Sequence, residues 1–290
     1  MIRNQRHLNL LDRVVSKKRG QKLNYRPPKF TVIVLVFILM GCQSISYERP
    51  LSPNLKDATP LEITWLYSKI RLPAIYTISG KEETFPLIWL NPSKWNEQFV
   101  SELTSPEQQL PVAVFLHGCV GITESNKVFI NFLSKAGWVV FAPDSFARPG
   151  RSAQCYAQTS QTYSHRIQEA RYALARLQEA TWVDQKRLIL IGHSEGGEAA
   201  GQWSYQGYNA MIISGANCGR SGRRAYAPSN VPILSIVGEN DPKEDSPCSV
   251  IGRPAPSKSV TIPNAGHPVF LSAEGEKEIL RFLQTLFHSN

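Results

Sequence analysis

The chain has 290 residues, 42% of them hydrophobic, with 19 Gly and 20 Pro, a composition typical of one globular domain with or without a tail. The formal net charge is +9, but residues 1–41 hold nine Lys or Arg against one Asp, so the remaining 249 residues have a net charge of +1. A nucleic-acid-binding domain needs a basic surface of its own, so nucleic acid is excluded as the expected partner.

The basic segment is followed by an uncharged apolar run, residues 30–41. Its length fits the h-region of a signal peptide better than a membrane span, which needs about 20 residues. The next feature, Leu-Met-Gly-Cys at 39–42, resembles the bacterial lipoprotein cleavage box. This resemblance implies that residues 1–41 are a signal peptide and that Cys42 receives a lipid, although an uncleaved N-terminal anchor is the alternative. Gln43, rather than Asp, implies sorting to the outer membrane, so we expect a lipid-anchored, periplasm-facing protein of the bacterial cell envelope.

Four cysteines remain once Cys42 is assigned to the lipid. An even number of cysteines in an exported domain predicts two disulfides. The four are Cys119, Cys155, Cys218 and Cys248. None of them forms the Cys-x-x-Cys spacing of a zinc site, and His117 is the only histidine close to any of them in the sequence. We therefore expect no metal.

Residues 42–60 are polar and contain prolines, which predicts a tether, and residues 61–290 are expected to form the folded domain. Near the start of this domain, two runs rich in aromatic and β-branched residues are separated by Ser79-Gly80, which predicts a β-hairpin or meander. Residues 92–110 are predicted to be a connection with one short helical turn.

Strand and helix patterns alternate through the rest of the chain. The strand patterns are PVAVFL, WVVFA, RLILIG, NAMIIS, VPILSIVG and KSVTIP, and the helical ones are SNKVFINFLSKAG, HRIQEARYALARLQEA, EGGEAAGQWSY and SAEGEKEILRFLQTLF. In the second helix, Ile167, Ala170, Leu174 and Leu177 form an apolar stripe with charged residues between them. Near-continuous apolar strands alternating with helices predict an α/β fold, in which a mostly parallel sheet is covered on both faces. Ligands bind such sheets outside the carboxyl ends of the strands.

One of these strand ends carries Gly-His-Ser-Glu-Gly at 192–196, which matches the motif G-x-S-x-G. The glycines leave room for a sharp turn from strand to helix, on which a nucleophile is exposed. Gly197 adds further space. We predict that Ser194 is a nucleophile, and the alternative is a Gly-Ser turn without chemistry.

An acid and a base follow the next strands. Asp241 comes after VPILSIVG, and His267 comes after KSVTIP. The order Ser, Asp, His at successive strand ends supplies a nucleophile, a base that takes its proton and an acid that orients the base. Glu239 is the alternative acid.

The loop HGCVG at 117–121 follows PVAVFL and is predicted to help bind an oxyanion. The expected donors are the backbone N–H groups of Cys119 and Glu195. His117 is expected to be a structural hydrogen-bonding residue rather than a second base. The carboxylate of Glu195 either contacts the substrate or is stabilised at a helix start, and the sequence leaves both possibilities open.

The segment after WVVFA contains Asp144, Arg148 and Arg151. Either arginine could hold an anionic group of the substrate by paired hydrogen bonds. We expect instead that Asp144 and the arginines brace their loop among themselves.

The motifs HGCVG, APDSFARPGR, R-x-x-E-A-x-x-A-L-x-x-L, GHSEGG, GENDP and NAGH together resemble the α/β-hydrolase superfamily and, within it, the dienelactone hydrolase-like group. The resemblance covers roughly residues 75–290. It implies the α/β-hydrolase fold, with a mostly parallel sheet and an N-terminal antiparallel hairpin, and a triad of Ser194, Asp241 and His267. Dienelactone hydrolases proper use a cysteine nucleophile, so the serine here argues against dienelactone as the substrate and favours a serine esterase.

The same resemblance makes neighbours of the strands PVAVFL and WVVFA, and of NAMIIS and VPILSIVG. It therefore implies the disulfides Cys119–Cys155 and Cys218–Cys248. The expected function is hydrolysis of a small-molecule ester through an acyl-enzyme, without a metal or organic cofactor. An acyltransferase with the same triad and a non-catalytic envelope lipoprotein on a hydrolase fold are the alternatives.

Overall fold

The described residues of the computed structural model form an eight-stranded sheet. The structure describes residues 55–90, 94–151, 155, 160–218, 224–242 and 246–287, all within the unit Tyr47–Asn290. The predicted signal peptide, Cys42 and most of the predicted tether lie outside the described residues. Among the helices that are described, none is both long enough and apolar enough to cross a bilayer.

The sheet has the order β2-β1-β4-β3-β5-β6-β7-β8. Its strands are β1 Lys69–Leu72, β2 Glu83–Pro86, β3 Leu110–Leu116, β4 Val139–Ala142, β5 Val183–His193, β6 Ala210–Ser214, β7 Ile233–Gly238 and β8 Lys258–Ile262. Strand β1 pairs antiparallel with both β2 and β4. The other six strands, in the sheet order β4-β3-β5-β6-β7-β8, all pair with one another in parallel. The predicted α/β-hydrolase fold, with its N-terminal antiparallel hairpin, is confirmed.

Helices cover both faces of the sheet. They are α1 Pro60–Leu66, α2 Trp95–Ser101, α3 Glu124–Lys135, α4 Ser160–Gln178, α5 Glu195–Gly201 and α6 Ala273–Phe287. Alternate residues of a strand face opposite sides, so β3 directs Val112 and Val114 into the core under α1, α2, α4 and α5. The residues between them, Ala113 and Phe115, enter the second core under α3 and α6. Both faces of the central strands are therefore buried, which explains their near-continuous apolar sequences.

Helix α1 is a feature that the sequence analysis does not predict. Thr59 caps it, since its hydroxyl accepts from the Glu62 N–H and the Glu62 carboxylate accepts from the Thr59 N–H. Trp65, which the sequence places in an aromatic run leading to the hairpin, is buried on this helix. Leu55 is also buried in the core, so the predicted tether overlaps the folded domain at its C-terminal end.

Candidate active site

Ser194 occupies a strained turn between β5 and α5. Its backbone has φ 55° and ψ −120°, a conformation that side-chain-bearing residues rarely adopt. Such strain is found mostly where a residue must be held in one orientation for function. The turn leaves Ser194 9% exposed, at the carboxyl end of β5, an interior strand of the parallel region.

The glycines around Ser194 are required by close backbone contacts. A Cβ atom on Gly192 would lie 2.1 Å from the carbonyl oxygen of Gly196, and one on Gly196 would lie 2.1 Å from the carbonyl oxygen of Leu116. A Cβ on Gly197 would lie 2.9 Å from the Ser214 carbonyl oxygen. No side chain fits at these distances, which is the steric requirement that the G-x-S-x-G motif predicts.

His267 and Asp241 meet at the ends of the neighbouring strands β8 and β7. Nδ1 of His267 lies 2.7 Å from Oδ2 of Asp241, whose side chain is inaccessible to solvent. With Nδ1 donating to the carboxylate, Nε2 of the neutral ring is left as an acceptor. Glu239, the alternative acid, is exposed and accepts a hydrogen bond from the Asn264 N–H at 2.9 Å. The structure therefore brings Asp241, and not Glu239, to the histidine.

The ring of His193, the residue before Ser194, packs against His267. Its centroid is 4.9 Å from that of His267 and 4.8 Å from that of Phe270. Nε2 of His267 is buried and makes no hydrogen bond to any described residue, Ser194 included. Hydrogen bonds between a nucleophile and its base are often long without substrate and tighten only in the reacting complex.

The loop after β3 lies against the side chain of Ser194. A Cβ on Gly118 would be 3.2 Å from the Cβ and 3.7 Å from the Oγ of Ser194. The next residue is Cys119. Within the described part of the chain, the amide N–H groups of Cys119 and Glu195 donate to no protein acceptor. The lack of a described acceptor for these two N–H groups is compatible with their predicted role as oxyanion donors.

His117 holds this loop in place. Its Nδ1 lies 2.7 Å from the carbonyl oxygen of Gly118, and its Nε2 accepts from the Ser145 N–H at 3.1 Å. Complete burial and the charge of Arg166 hold the pKa of His117 well below its usual value, so the ring stays neutral. His117 is a structural residue, as the sequence analysis expects.

The arginines after β4 pair with glutamates. Arg151 forms an ion pair with Glu195 and donates from Nε to the Ser145 hydroxyl at 2.8 Å. Nε of Arg148 lies 3.6 Å from Oε1 of Glu169.

Asp144 caps the turn that follows it, since its Oδ1 accepts from the Phe146 N–H at 3.1 Å. The expected bracing of this loop by Asp144 and the arginines among themselves stays a prediction. Arg148 forms an ion pair with Glu169, which lies on α4, and Arg151 forms one with Glu195, which lies on α5. The Glu195 carboxylate, whose role the sequence leaves open, is therefore a partner of Arg151.

Two further charged residues of this cluster, Arg166 and Glu169, are not predicted by the sequence analysis. The charged residues of α4 alternate with its apolar positions in the sequence, yet Arg166 is fully buried and Glu169 is 2% exposed. They form an ion pair at 2.7 Å. Arg166 lies four residues before Ala170 in the buried stripe, and this i,i+4 spacing is the signal that could have placed it on the buried face.

Two disulfides join loops at this edge of the sheet. Cys119 pairs with Cys155, with their Cα atoms 5.0 Å apart, and Cys218 pairs with Cys248 at 5.4 Å. These are the pairs that the resemblance implies. In the described part of the chain, no cluster of three or more His, Cys, Asp or Glu side chains is arranged to hold a metal ion.

Solved structures with the same kind of fold include proteins from three organisms. The hyperthermophilic esterase of the archaeon Pyrobaculum calidifontis is 13% identical, and the match covers 62% of this chain and 77% of that one, with a TM-score of 0.46. Est1E from Butyrivibrio proteoclasticus is 14% identical over 63% of this chain and 90% of its own, with a TM-score of 0.42.

The third structure is an α/β serine hydrolase without a lid from Xanthomonas campestris. It is 14% identical over 63% of this chain and 84% of its own, also with a TM-score of 0.42. With TM-scores below 0.5, none of these likenesses bears on what this chain does. No curated protein matches the sequence significantly.

The sequence model of the dienelactone hydrolase family matches residues 99–248, which is just over half of the chain. The match includes the loop of Cys119, the turn of Ser194 and the loop of Asp241, and it ends before His267. The chain therefore belongs to the dienelactone hydrolase family and is an α/β hydrolase.

Proposed function

We propose that the protein is a serine hydrolase that cleaves an ester of a small molecule through an acyl-enzyme intermediate. The observation that carries the proposal is the strained Ser194 turn, set at the same sheet edge as the hydrogen-bonded pair of His267 and Asp241. A nucleophile, an acceptor nitrogen and an orienting carboxylate are the three groups that acyl transfer by this route needs.

In the first half of the reaction, Oγ of Ser194 attacks the ester carbonyl carbon while Nε2 of His267 takes the serine proton. The carbonyl oxygen becomes an oxyanion, which the N–H groups of Cys119 and Glu195 stabilise. Collapse of the tetrahedral intermediate breaks the bond to the alkoxy group, and the imidazolium returns the proton to the departing alcohol. Asp241 holds the ring in the required tautomer and stabilises its positive charge.

In the second half, His267 takes a proton from water, and the resulting hydroxide attacks the acyl carbon. The bond to Oγ breaks, Ser194 recovers its proton from the imidazolium, and the carboxylic acid product leaves.

A serine at position 194 distinguishes this chain from dienelactone hydrolases proper, whose nucleophile is cysteine. Serine is the weaker nucleophile at neutral pH and depends fully on its base. The departure from the cysteine nucleophile argues against dienelactone as the substrate and supports a serine esterase.

The test uses purified residues 43–290 with a panel of nitrophenyl esters of increasing acyl length and with a fluorophosphonate probe. We expect hydrolysis and covalent labelling of wild type, and loss of both in Ser194→Ala with unchanged folding by circular dichroism. Near-normal ester hydrolysis by a folded Ser194→Ala variant would contradict the proposal. Product analysis in the presence of added alcohols would reveal an acyltransferase, because acyl groups would then pass to the alcohol rather than to water.

A further inference from the structure

The two proposed oxyanion donors belong to separate parts of the chain. Cys119 lies in the loop after β3, and Glu195 is the first residue of α5. Donors of this kind act only when both point at the same oxygen atom, within hydrogen-bonding distance. A displacement of about 1 Å in a catalytic site can reduce the rate by about 100-fold. Some group must therefore fix these two segments relative to each other.

Arg166 of α4 reaches both segments. Its Nη2 donates to the carbonyl oxygen of His117, two residues before Cys119, at 2.6 Å. Its Nε lies 3.7 Å from Oε1 of Glu195, which makes an ion pair without a hydrogen bond. The same His117 carbonyl faces the start of α5, because a Cβ on Gly196 would be 2.8 Å from it. The arginine thus contacts the two backbone segments where they pack on each other.

The remaining contacts of Arg166 hold its guanidinium in one orientation. Nη1 donates to Oε2 of Glu169 at 2.7 Å, and the Glu169 Oε1 accepts from the Ser145 hydroxyl at 2.9 Å. The side chains of Arg166 and Glu169 are both inaccessible to solvent. A buried charge is retained only when it is paired, and Glu169 provides that pairing independently of the oxyanion donors. The planar guanidinium can then contact Glu169, the His117 carbonyl and Glu195 at the same time. A lysine ammonium on its flexible chain cannot hold these three contacts in a fixed geometry.

We infer that Arg166 is a positioning residue that fixes the loop of Cys119 and the start of α5 relative to each other. The inference rests on the function proposed above. Arg151 contacts Glu195 as well, but among the described residues its hydrogen bond on the side of the loop goes to Ser145, whose N–H donates to the ring of His117. Arg166 is therefore the residue whose loss should misalign both donors directly.

The test compares Arg166→Lys and Glu195→Gln with wild type. Arg166→Lys keeps the positive charge and loses the planar guanidinium with its several N–H donors. Glu195→Gln keeps the shape of the side chain and removes the ion pairs with Arg166 and Arg151. We expect kcat to fall by about 10- to 100-fold in Arg166→Lys, and by a smaller factor that still exceeds about threefold in Glu195→Gln, with KM changed less than about threefold. Phenylboronic acid, which forms a tetrahedral adduct with an active serine, should bind more weakly in proportion to the loss of kcat/KM.

Tyr208→Phe is the matched control for a purely structural effect. The Tyr208 hydroxyl donates to the carbonyl oxygen of Ala170 on α4, the helix that carries Arg166, at 2.8 Å. This variant should lower Tm and leave kcat and phenylboronic acid binding unchanged.

Two results would overturn the inference in an enzyme whose wild type is active. One is a kcat within about threefold of wild type in both folded variants, and the other is a reduced kcat with unchanged affinity for phenylboronic acid. If Arg166→Lys does not fold, Glu195→Gln decides by the same two criteria. Failure of the proposed function is distinguishable, because wild type itself would then neither hydrolyse the esters nor react with the fluorophosphonate.

Discussion

His267 donates a hydrogen bond from Nδ1 to Oδ2 of Asp241 over 2.7 Å, and this contact selects one of two carboxylates that lie two residues apart. Glu239 points instead to the backbone N–H of Asn264, in the loop that leads to the histidine. One carboxylate orients the base, and the other braces the loop that carries it.

Asp241→Asn and Glu239→Gln test this division of roles. An amide at position 241 stabilises the imidazolium poorly and favours the wrong tautomer, so kcat should fall by about 10⁴, as in other serine triads. Glu239→Gln retains an oxygen acceptor for the Asn264 N–H and should change kcat by less than about fivefold. Steady-state kinetics on one nitrophenyl ester measures both. A severe loss in Glu239→Gln with a mild loss in Asp241→Asn would reverse the assignment.

The glycines of the serine turn make a second prediction, on stability. In Gly196→Ala the new methyl group would overlap the Leu116 carbonyl, so the variant should be destabilised by about 3 kcal/mol or more and lose activity. Gly266→Ala is the matched control, because a Cβ there meets no atom within 4 Å. Urea unfolding of both variants gives the comparison. Equal stabilities of the two variants would show that the turn tolerates a side chain at position 196 and that close contacts do not explain its glycine.

The two disulfides should differ in their effect on activity. They close loops with sequence separations of 36 and 30 residues, and each is expected to stabilise the fold by about 3 to 4 kcal/mol. Replacing Cys119 and Cys155 by alanine should lower both Tm and kcat, because Cys119 carries a proposed oxyanion donor. Replacing Cys218 and Cys248 should lower mainly Tm, because Cys218 packs on Gly201 at the far end of α5.

The measurements are thermal unfolding and kinetics of the two double variants, after peptide mapping of the exported wild type. Four free thiols, or a Cys119–Cys218 link, would contradict the pairing. An equal kcat in both double variants would show that the Cys119–Cys155 disulfide has no particular effect on catalysis.

The buried His117 should make stability depend on pH. Its pKa in the folded protein is well below the usual 6.5 because the ring is buried near Arg166. Below about pH 6.5 the unfolded chain takes up a proton at this ring and the folded protein does not, so the free energy of unfolding decreases as the pH falls. The slope is at most about 1.4 kcal/mol per pH unit and extends down to the lowered pKa.

Urea unfolding between pH 7.5 and 5, with His117→Gln as the comparison, isolates this contribution from that of the other groups. The glutamine side chain can accept from the Ser145 N–H and carries no titrating ring. Its stability should therefore depend less steeply on pH over this range. If the free energy of unfolding depended on pH equally in wild type and variant, the pKa of His117 would be the same in the folded and the unfolded chain.

Cys42, outside the described residues, makes a prediction about location. If it carries a lipid, Cys42→Ser should release a soluble periplasmic form or accumulate an uncleaved precursor. Fractionation of cells that express each form, followed by immunoblotting, measures this. Membrane attachment that survives both the substitution and a salt wash would contradict lipidation.

The order of strands and helices after residue 110 and the candidates Ser194, Asp241 and His267 follow from the sequence, because hydrophobic periodicity and turn residues are local properties. Apolar runs bounded by turns predict buried strands, and parallel strands place their carboxyl ends at one edge. Helix α1 is missed because its seven residues hold aromatic and β-branched side chains, and its capping box lies in a segment whose composition is that of a tether.

Only the tertiary structure decided which of these residues are partners. Asp241 and Glu239 are both acids that follow β7, so the sequence pattern does not distinguish them. Their roles differ because β7 and β8 are neighbours, and the Asp241 carboxylate then meets His267 while that of Glu239 meets the Asn264 N–H. Arg166 and Glu169 look like solvated helix charges until α4 packs beneath the loop after β3. Hydrogen bonds and ion pairs depend on distances of a few tenths of an ångström between residues far apart in the chain, and no local periodicity encodes such distances.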